Sequence, residues 1–237
     1  MPPLMIPLND GRQIPWLGLG TVTTLLRQDA SKLVANANTH GIIHLDTAQL
    51  YENKESIGAG IALAGRPREE LFVTTKIADL PEGKTVRESF MESLARLRGL
   101  ALVPHSEPFT ERKTQGATMP LLEFLKQHDI LATSYGGLIP LTKQHGGPIE
   151  PVLASNRQRL EKETGQQFTS VSGLINRGHQ QQADRPTFAF RTSSKLERVK
   201  EYIATESLPD LTQEEMDVIF VTGSKHHFRR YARWIDD

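Results

Sequence analysis

The sequence predicts an α/β fold in which strands and helices alternate around a mainly parallel sheet. Short apolar strands alternate with helical stripes up to residue 98, a rhythm that is typical of consecutive βα units. Strand and helix patterns resume at residue 120. Ahead of the first buried strand, the turn sequence Asn9-Asp10-Gly11 predicts a β-hairpin over residues 4–15.

The bulk composition indicates a globular protein, and we expect a single domain over residues 1–237. Apolar residues make up 38% of the chain and charged residues 24%. Lys+Arg and Asp+Glu each number 28, so the charge balance indicates neither a nucleic-acid partner nor a membrane surface. The chain has no cysteine and its histidines lack metal-site spacing, so we expect no metal. Without a membrane-spanning apolar run or a signal-peptide core, we expect a cytoplasmic protein.

Hydrophobic periodicity locates the elements of the successive units. In the N-terminal part it predicts three strands, over 17–21, 42–46 and 71–77, and three helices, over 29–39, 55–63 and 85–97. In the C-terminal part it predicts a strand over 187–192 and helices over 149–164 and 212–221, while residues 130–136 resemble a strand of the family named below.

Three polar residues stand at the ends of predicted strands. Asp46 closes one strand, Tyr51 lies on the loop after it, and Lys76 closes the next strand. Because the carboxyl ends of neighbouring parallel strands meet at one edge, we expect the three side chains to face one pocket. A lysine cation lowers the pKa of a nearby phenol, and an aspartate holds the lysine in place. The cluster therefore predicts Tyr51 as a proton donor near neutral pH.

These residues stand in a longer string that is similar to a known family. The sequence D-T-A-x-x-Y-x-N at residues 46–53, followed by a strand ending in T-K-I at residues 75–77, resembles the aldo-keto reductases. Residues 8–21 also resemble the opening hairpin and first strand of that family. The resemblance implies a TIM-type (β/α) barrel. It also implies an NADP(H)-dependent enzyme that reduces a carbonyl of a small or mid-sized metabolite. The basic and aromatic C-terminal tail is similar to that of some fungal-type members, which indicates secondary metabolism.

The resemblance breaks off in the middle of the chain. Residues 99–119 form an atypical junction between family-like segments at 1–98 and 120–237, and two central βα units have no counterpart. We therefore expect an incomplete barrel of about six strands rather than a full one. In the family a fourth strand ends in a catalytic histidine that orients the carbonyl. His105 is either that histidine or a loop histidine. Lys54 is a further departure, because an acidic residue commonly stands there.

Two segments of the C-terminal part resemble the family's cofactor site. Tyr135 matches the aromatic residue that stacks under the nicotinamide ring, and a tyrosine packing at a strand end is the alternative. Ser193, Ser194, Lys195 and Arg198 match the segment that grips the adenosine phosphate. Serines and cations at a helix start form an anion site on physical grounds too; a capped surface helix with solvated charges is the alternative. The family's Ser-Asn and Gln contacts to the carboxamide have no substitute in this sequence.

Three functions fit these features. The first is a shortened reductase that uses NADP(H). The second is a redox-free isomerase, lyase or cyclase on the same scaffold, in which Asp46, Tyr51 and Lys76 carry out proton transfer alone. The third is a non-catalytic binding relative whose partner covers the exposed edges of the incomplete barrel, as a second copy would in a homodimer. The three residues favour an enzyme, and the cofactor segments favour the reductase.

Overall fold

The computed structural model describes residues 3–97, 145–165, 188–191 and 195–224, together with residues 127, 131, 133–134, 141, 167 and 193. The chain divides into two compact units. Residues 1–104 and 188–206 form the first, and residues 105–187 and 207–237 form the second. The expectation of one domain over residues 1–237 stays a prediction.

The first unit opens with the predicted β-hairpin. Strands β1 (Met5–Pro7) and β2 (Gln13–Pro15) pair antiparallel with Ile6 opposite Ile14, and both isoleucines are buried. In the turn, the side chain of Asp10 accepts a hydrogen bond from the backbone N–H two residues further on (3.0 Å). A turn closed by its own side chain fixes the register of the two strands.

Five further strands lie in the described residues, and four of them form a parallel sheet in the first unit. In chain order they are β3 (Leu17–Gly20), β4 (His44–Asp46), β5 (Phe72–Thr74), β6 (Thr133–Ser134) and β7 (Phe188–Arg191). The sheet of the first unit has the order β5–β4–β3–β7. Gly20 pairs with Asp46 and Asp46 with Thr74, so β3, β4 and β5 end at one edge. The predicted parallel arrangement is confirmed.

The predicted helices are present close to their predicted bounds. The first unit contains α1 (Ser31–Thr39), α2 (Lys54–Ala64), α3 (Val86–Arg96) and α5 (Leu196–Ala204), and the second contains α4 (Ile149–Thr164) and α6 (Gln213–Ser224). Helix α2 ends at Gly65, whose left-handed backbone (φ 65°) suits glycine. Helix α3 begins with a capping box between Thr85 and Glu88, which satisfies free N–H groups at its start.

The core of the first unit contains apolar side chains from both its strands and its helices. Leu19 on β3, Leu45 on β4, Val34 on α1 and Ile57 on α2 are all fully buried. The two ends of this unit meet at Glu206, whose Oε1 accepts hydrogen bonds from the backbone N–H of Leu4 (3.2 Å) and from the Trp16 indole. The first strands are therefore held to the segment after α5.

In the second unit, Met216 and Ile219 of α6 pack against a buried apolar cluster that includes Leu153 and Leu160 of α4, and an ion pair also joins the two helices. Arg159 on α4 donates from Nε and Nη2 to the two carboxylate oxygens of Glu215 (2.7 and 2.8 Å). Glu215 also forms the predicted capping box with Thr212. Burial raises the pKa of Glu215, but the hydrogen bonds from Arg159 and Thr212 outweigh it and hold the pKa below its usual value.

The atypical junction at 99–119 and the tail from residue 225 lie outside the described residues.

The close packing of α1 against α2 requires glycine at position 60. A Cβ there would stand 2.5 Å from the carbonyl oxygen of Ser31 and 2.8 Å from Cβ of Val34. Because backbone cannot give way cheaply, we expect Gly60→Ala to lower the free energy of unfolding by about 1–3 kcal/mol in urea denaturation.

Gly223→Ala in α6 is the matched control for this substitution. Among the described residues nothing lies within 4 Å of a Cβ at Gly223. Alanine has the higher helix propensity, so this variant should be as stable as the parent or slightly more stable. A Gly60→Ala protein that behaves like the control would show that α1 and α2 do not pack this closely.

Candidate active site

Asp46 and Lys76 form an ion pair at the C-terminal edge of the sheet. Nζ of Lys76 lies 2.6 Å from Oδ1 of Asp46 and also donates to the carbonyl oxygen of Thr47 (3.2 Å). The side chain of Asp46 is 9% exposed and that of Lys76 is 31% exposed. The carboxylate is therefore largely removed from water, which strengthens its attraction to the ammonium and makes a partner necessary.

Two threonines fix the ends of the strands that carry this pair. Thr21 donates from its backbone N–H (3.0 Å) and its hydroxyl (2.8 Å) to the carbonyl oxygen of Asp46. Thr47 donates in the same two ways to the carbonyl oxygen of Thr74 (2.8 and 3.0 Å). These bonds continue the ladder by one residue beyond the strands, so the backbone that positions Asp46 is held on both sides.

Tyr51 lies beside Lys76 on a short 3-10 turn, Gln49–Tyr51. Nζ of Lys76 is 5.4 Å from the centroid of the Tyr51 ring, within the range of a cation–π contact. The structure thus brings Asp46, Tyr51 and Lys76 together with Lys76 in contact with both of the others, as we expected from the sequence. Their chemical roles stay a prediction.

The backbone on either side of this contact adopts an unusual conformation. Arg27 (φ 56°) and Glu52 (φ 51°) are the two non-glycine residues with positive φ in the described part of the chain, a conformation that costs about 1–2 kcal/mol for each. Their side chains form an ion pair (2.8 Å), and the N–H of Arg27 donates to the carbonyl oxygen of Tyr51 (3.0 Å). Strain of this kind is maintained where the surrounding structure fixes one conformation, as it does around Tyr51.

Asn53 attaches the loop after Tyr51 to the loop after β3. Its side chain is buried, and Nδ2 donates to the carbonyl oxygens of Thr21 (2.8 Å) and Leu25 (2.7 Å). The asparagine of the D-T-A-x-x-Y-x-N string therefore has a structural role that its place in the string did not reveal. It thereby helps to fix the loop that carries Tyr51.

Gln49 connects the strand end that carries Lys76 to helix α3, and no sequence signal identified it. Its backbone N–H donates to the carbonyl oxygen of Lys76 (3.0 Å), and its Oε1 accepts from the backbone N–H of Ala78 (2.8 Å). Its Nε2 donates to the hydroxyls of Ser89 (2.7 Å) and Ser93 (3.0 Å). The serines of α3 carried no signal either, because only the tertiary fold shows that they face Gln49.

Lys54, the departure noted in the sequence, is buried next to this network. It is 2% exposed, and its Nζ donates to the hydroxyl of Ser93 (2.7 Å). Burial, followed by the charge of Arg96, lowers the pKa of Lys54 to about 8; Glu55 acts in the opposite direction, and Lys76 adds a small further lowering. Lys54 therefore changes its charge near physiological pH.

The predicted phosphate-binding segment lies at the start of α5, and three of its four residues are described. Lys195 stands at the N-cap and Arg198 in the first turn, both exposed. Ser193 is buried, and its hydroxyl accepts a hydrogen bond from the N–H of Lys195 (3.1 Å). Because α5 follows β7 and the strands are parallel, this group lies at the same edge of the sheet as Asp46.

Three predicted site residues, His105, Tyr135 and Ser194, lie outside the described residues. Within the described part of the chain, no group of three or more histidine or acidic side chains is arranged to hold a metal ion. No helix there is both long and apolar enough to span a bilayer.

Part of this chain is similar to a known family. Residues 16–103 match the model of the aldo/keto reductase family. A curated relative, the NAD/NADP-dependent indole-3-acetaldehyde reductase of Schizosaccharomyces pombe, is 24% identical over 96% of this chain and 98% of its own length. That alignment has 291 positions, more than the 237 residues of this chain. The glyoxal reductase of Bacillus subtilis is 37% identical to this chain over a shorter alignment. That alignment covers 39% of this chain and only 34% of the relative's length.

Solved structures confirm the fold. A Bombyx mori aldo-keto reductase, solved in complex with NADP, matches with a TM-score of 0.71 and 23% identity, over 100% of this chain and 98% of its own. The predicted (β/α) barrel fold of the aldo-keto reductase kind is therefore confirmed.

The lowered pKa of Lys54 predicts a stability effect of its own. Between pH 8 and pH 10.5 the unfolded chain binds more protons than the folded one, so the free energy of unfolding rises with pH across that window. Replacing the buried cation in Lys54→Met should raise the free energy of unfolding at pH 7 by up to about 3 kcal/mol. Loss of the hydrogen bond to Ser93 should lower it by about 1 kcal/mol. The free energy of unfolding of the variant should also not rise between pH 8 and pH 10.5.

Urea denaturation at a series of pH values measures both effects. Lys32→Met, which removes an exposed lysine of α1, is the control and should leave the pH dependence unchanged. A Lys54→Met protein that is less stable than the parent at pH 7 and keeps the rise would contradict this account of the buried amine.

Proposed function

We propose that the protein is an NADP(H)-dependent carbonyl reductase of the aldo-keto reductase family, whose model matches residues 16–103. The observation that carries the proposal is the contact of Lys76 with both Asp46 and Tyr51 at the C-terminal edge of the sheet, where barrel enzymes collect their catalytic residues. Bound NADPH supplies the hydride, and the chain supplies a proton and the position of the substrate.

In this proposal Tyr51 donates its hydroxyl proton to the carbonyl oxygen while the carbonyl carbon is reduced to an alcohol. The phenolate that remains is stabilised by the ammonium of Lys76, which lies against the ring. Asp46 holds that ammonium in place through its 2.6 Å ion pair. Each of the three residues therefore has a role that its contacts support.

The residues at the start of α5 fit the phosphate end of NADP(H). The ammonium of Lys195 and the guanidinium of Arg198 are both exposed at the N-terminus of a nine-residue helix. Free N–H groups and cations of this kind favour an anion. Ser193 contributes indirectly, because its hydroxyl is engaged in holding the turn that positions Lys195.

The relatives support a small carbonyl compound as substrate. The Schizosaccharomyces pombe and Bacillus subtilis relatives are named for indole-3-acetaldehyde and glyoxal, and both compounds carry aldehyde groups. We propose that this chain acts on an aldehyde or ketone of small to middle size.

A redox-free proton-transfer enzyme is the second candidate. It would use the same Asp46, Tyr51 and Lys76 without hydride transfer. The observation that favours it is the length of the chain: the alignment with the Schizosaccharomyces pombe relative needs 291 positions, and the sequence contains no substitute for the family's carboxamide contacts. Turnover without dinucleotide would distinguish this candidate from the reductase.

Removing the Tyr51 hydroxyl should abolish activity and leave the fold intact. We expect Tyr51→Phe to lower kcat by roughly 100-fold or more, the usual contribution of a positioned proton donor. The free energy of unfolding measured in urea should change by less than about 1 kcal/mol. Tyr202→Phe on α5 is the matched hydroxyl deletion at a buried tyrosine and should keep kcat. Retention of most activity by Tyr51→Phe would remove Tyr51 from the mechanism.

Arg198 should distinguish NADPH from NADH. A 2′-phosphate gains charge-assisted hydrogen bonds from the guanidinium, so the parent should bind NADPH more tightly in calorimetry. Arg198→Ala should lose most of that preference, roughly tenfold or more. Lys200→Ala, an exposed cation further along α5, is the control and should keep it. An unchanged preference in Arg198→Ala would place the phosphate elsewhere.

A further inference from the structure

Lys54 is a buried lysine that the proposed mechanism does not use. It is the first residue of α2, three positions after Tyr51, and it is 2% exposed. Lysine is almost never fully buried unless it is paired with an opposite charge. The hydrogen-bond partner that the structure shows for its Nζ is the neutral hydroxyl of Ser93, at 2.7 Å. Within the described part of the chain the buried amine therefore has a neutral hydrogen-bond partner rather than the opposite charge that burial of a cation usually requires.

A continuous chain of hydrogen bonds joins Lys54 to the segment that carries Lys76. Ser93 accepts from Nζ of Lys54 (2.7 Å) and from Nε2 of Gln49 (3.0 Å). Gln49 in turn binds the backbone on both sides of Ile77, through the carbonyl oxygen of Lys76 and the N–H of Ala78. Lys54 thus acts on the same short segment that orients the proposed catalytic lysine.

Among the described residues three charged groups act on Lys54, and two of them are positive. Arg96 faces it from α3, Glu55 from its own helix and Lys76 from the end of β5. Glu55 and Arg96 form a partly exposed ion pair with each other (3.3 Å), and Lys76 is paired with Asp46. A proton on Lys54 therefore adds positive potential where Lys76 and Tyr51 meet.

Building on the proposed proton transfer at Tyr51, we propose that Lys54 is a positioning residue whose charge tunes the Asp46–Lys76–Tyr51 cluster, so that proton donation depends on whether Lys54 is protonated. The hydrogen bond to Ser93 persists in both states. The single proton of the Ser93 hydroxyl is donated to the carbonyl oxygen of Ser89 (3.1 Å), so the hydroxyl accepts from an ammonium and from a neutral amine alike. Titration then changes charge without changing the contact.

The direction of the effect follows from the charge. Protonated Lys54 stabilises the phenolate that Tyr51 becomes when it donates its proton, and this help is lost as pH rises through about 8. The rate of carbonyl reduction should therefore fall by roughly 3- to 10-fold as Lys54 loses its proton. A change of this size is expected when two charges interact across a protein interior that partly screens them. Lys54→Met should remove this limb of the pH profile.

A measurement that does not depend on turnover separates this inference from the proposed function. The chain is produced with 13Cζ-labelled tyrosine, and the Tyr51 resonance among the four tyrosines is assigned with Tyr51→Phe. Ionisation of the Tyr51 phenol itself changes this shift by a large amount, so the signal that tests the coupling is a smaller transition of the protonated phenol. In the unmodified protein this smaller transition should have its midpoint near pH 8. The transition should be absent in Lys54→Met and present in Lys32→Met, the exposed-lysine control.

Each result decides the question. The proposal is overturned, even if the protein is a reductase, if the protonated Tyr51 phenol shows no smaller transition near pH 8 in the unmodified protein. It is also overturned if that smaller transition is still present in Lys54→Met. The expected transition in a protein that transfers no hydride supports the coupling and contradicts the reductase instead. If Lys54→Met does not fold, Lys54→Gln provides the same comparison, because it keeps a hydrogen-bond donor for Ser93 and cannot be charged.

Discussion

The ion pair between Asp46 and Lys76 is the interaction on which the rest of the site depends. A carboxylate that is 9% exposed needs a partner, and Lys76 provides it at 2.6 Å from the end of the neighbouring strand. Removing one member of such a pair leaves an uncompensated charge that typically costs about 3–5 kcal/mol. The parallel register of β4 and β5 sets the two residues at the same edge. The register of the two strands therefore determines that Asp46 and Lys76 form this ion pair.

Tyr51 meets this pair because several weaker interactions fix the loop that carries it. Three features restrict that loop: the left-handed backbone at Glu52, the hydrogen bond from Arg27 and the buried side chain of Asn53. Gln49 restricts it further by hydrogen-bonding to α3 and to the segment of Lys76. A proton donor must stay within reach of one atom of its substrate. The many contacts of this loop serve that requirement.

Much of the fold was predictable because its signals are local. The NDG turn, the apolar strands and the helical stripes gave the hairpin, the βα order and the span of α4. Asp46 and Lys76 were predictable for a related reason: polar residues at the ends of neighbouring parallel strands converge. Tyr51 was predictable from its place on the loop that follows one of these strands, and the family resemblance supported it.

What the sequence could not supply is the set of contacts between elements. Ser93 is an ordinary helix residue until α3 packs near Gln49, and the apolar stripe that predicts α3 does not indicate that Ser93 is buried. Lys54 was recognisable as a departure from the family pattern, but a lysine at a helix start is normally exposed. Its burial depends on α3 covering it. Ser193, which we predict to bind phosphate, accepts a hydrogen bond from the N–H of Lys195 in the turn before α5, a detail of backbone geometry that residue type alone does not reveal.

The central claim is that this cluster performs proton transfer coupled to reduction of a carbonyl. The most direct test is a product balance: the full chain is mixed with NADPH and an aldehyde, and the NADPH oxidised and the alcohol formed are both quantified. We expect one alcohol for each NADPH consumed, at a rate that Tyr51→Phe does not support. Conversion of the carbonyl compound with no NADPH consumed, or no reaction by a folded chain across a panel of aldehydes and ketones, would contradict the account.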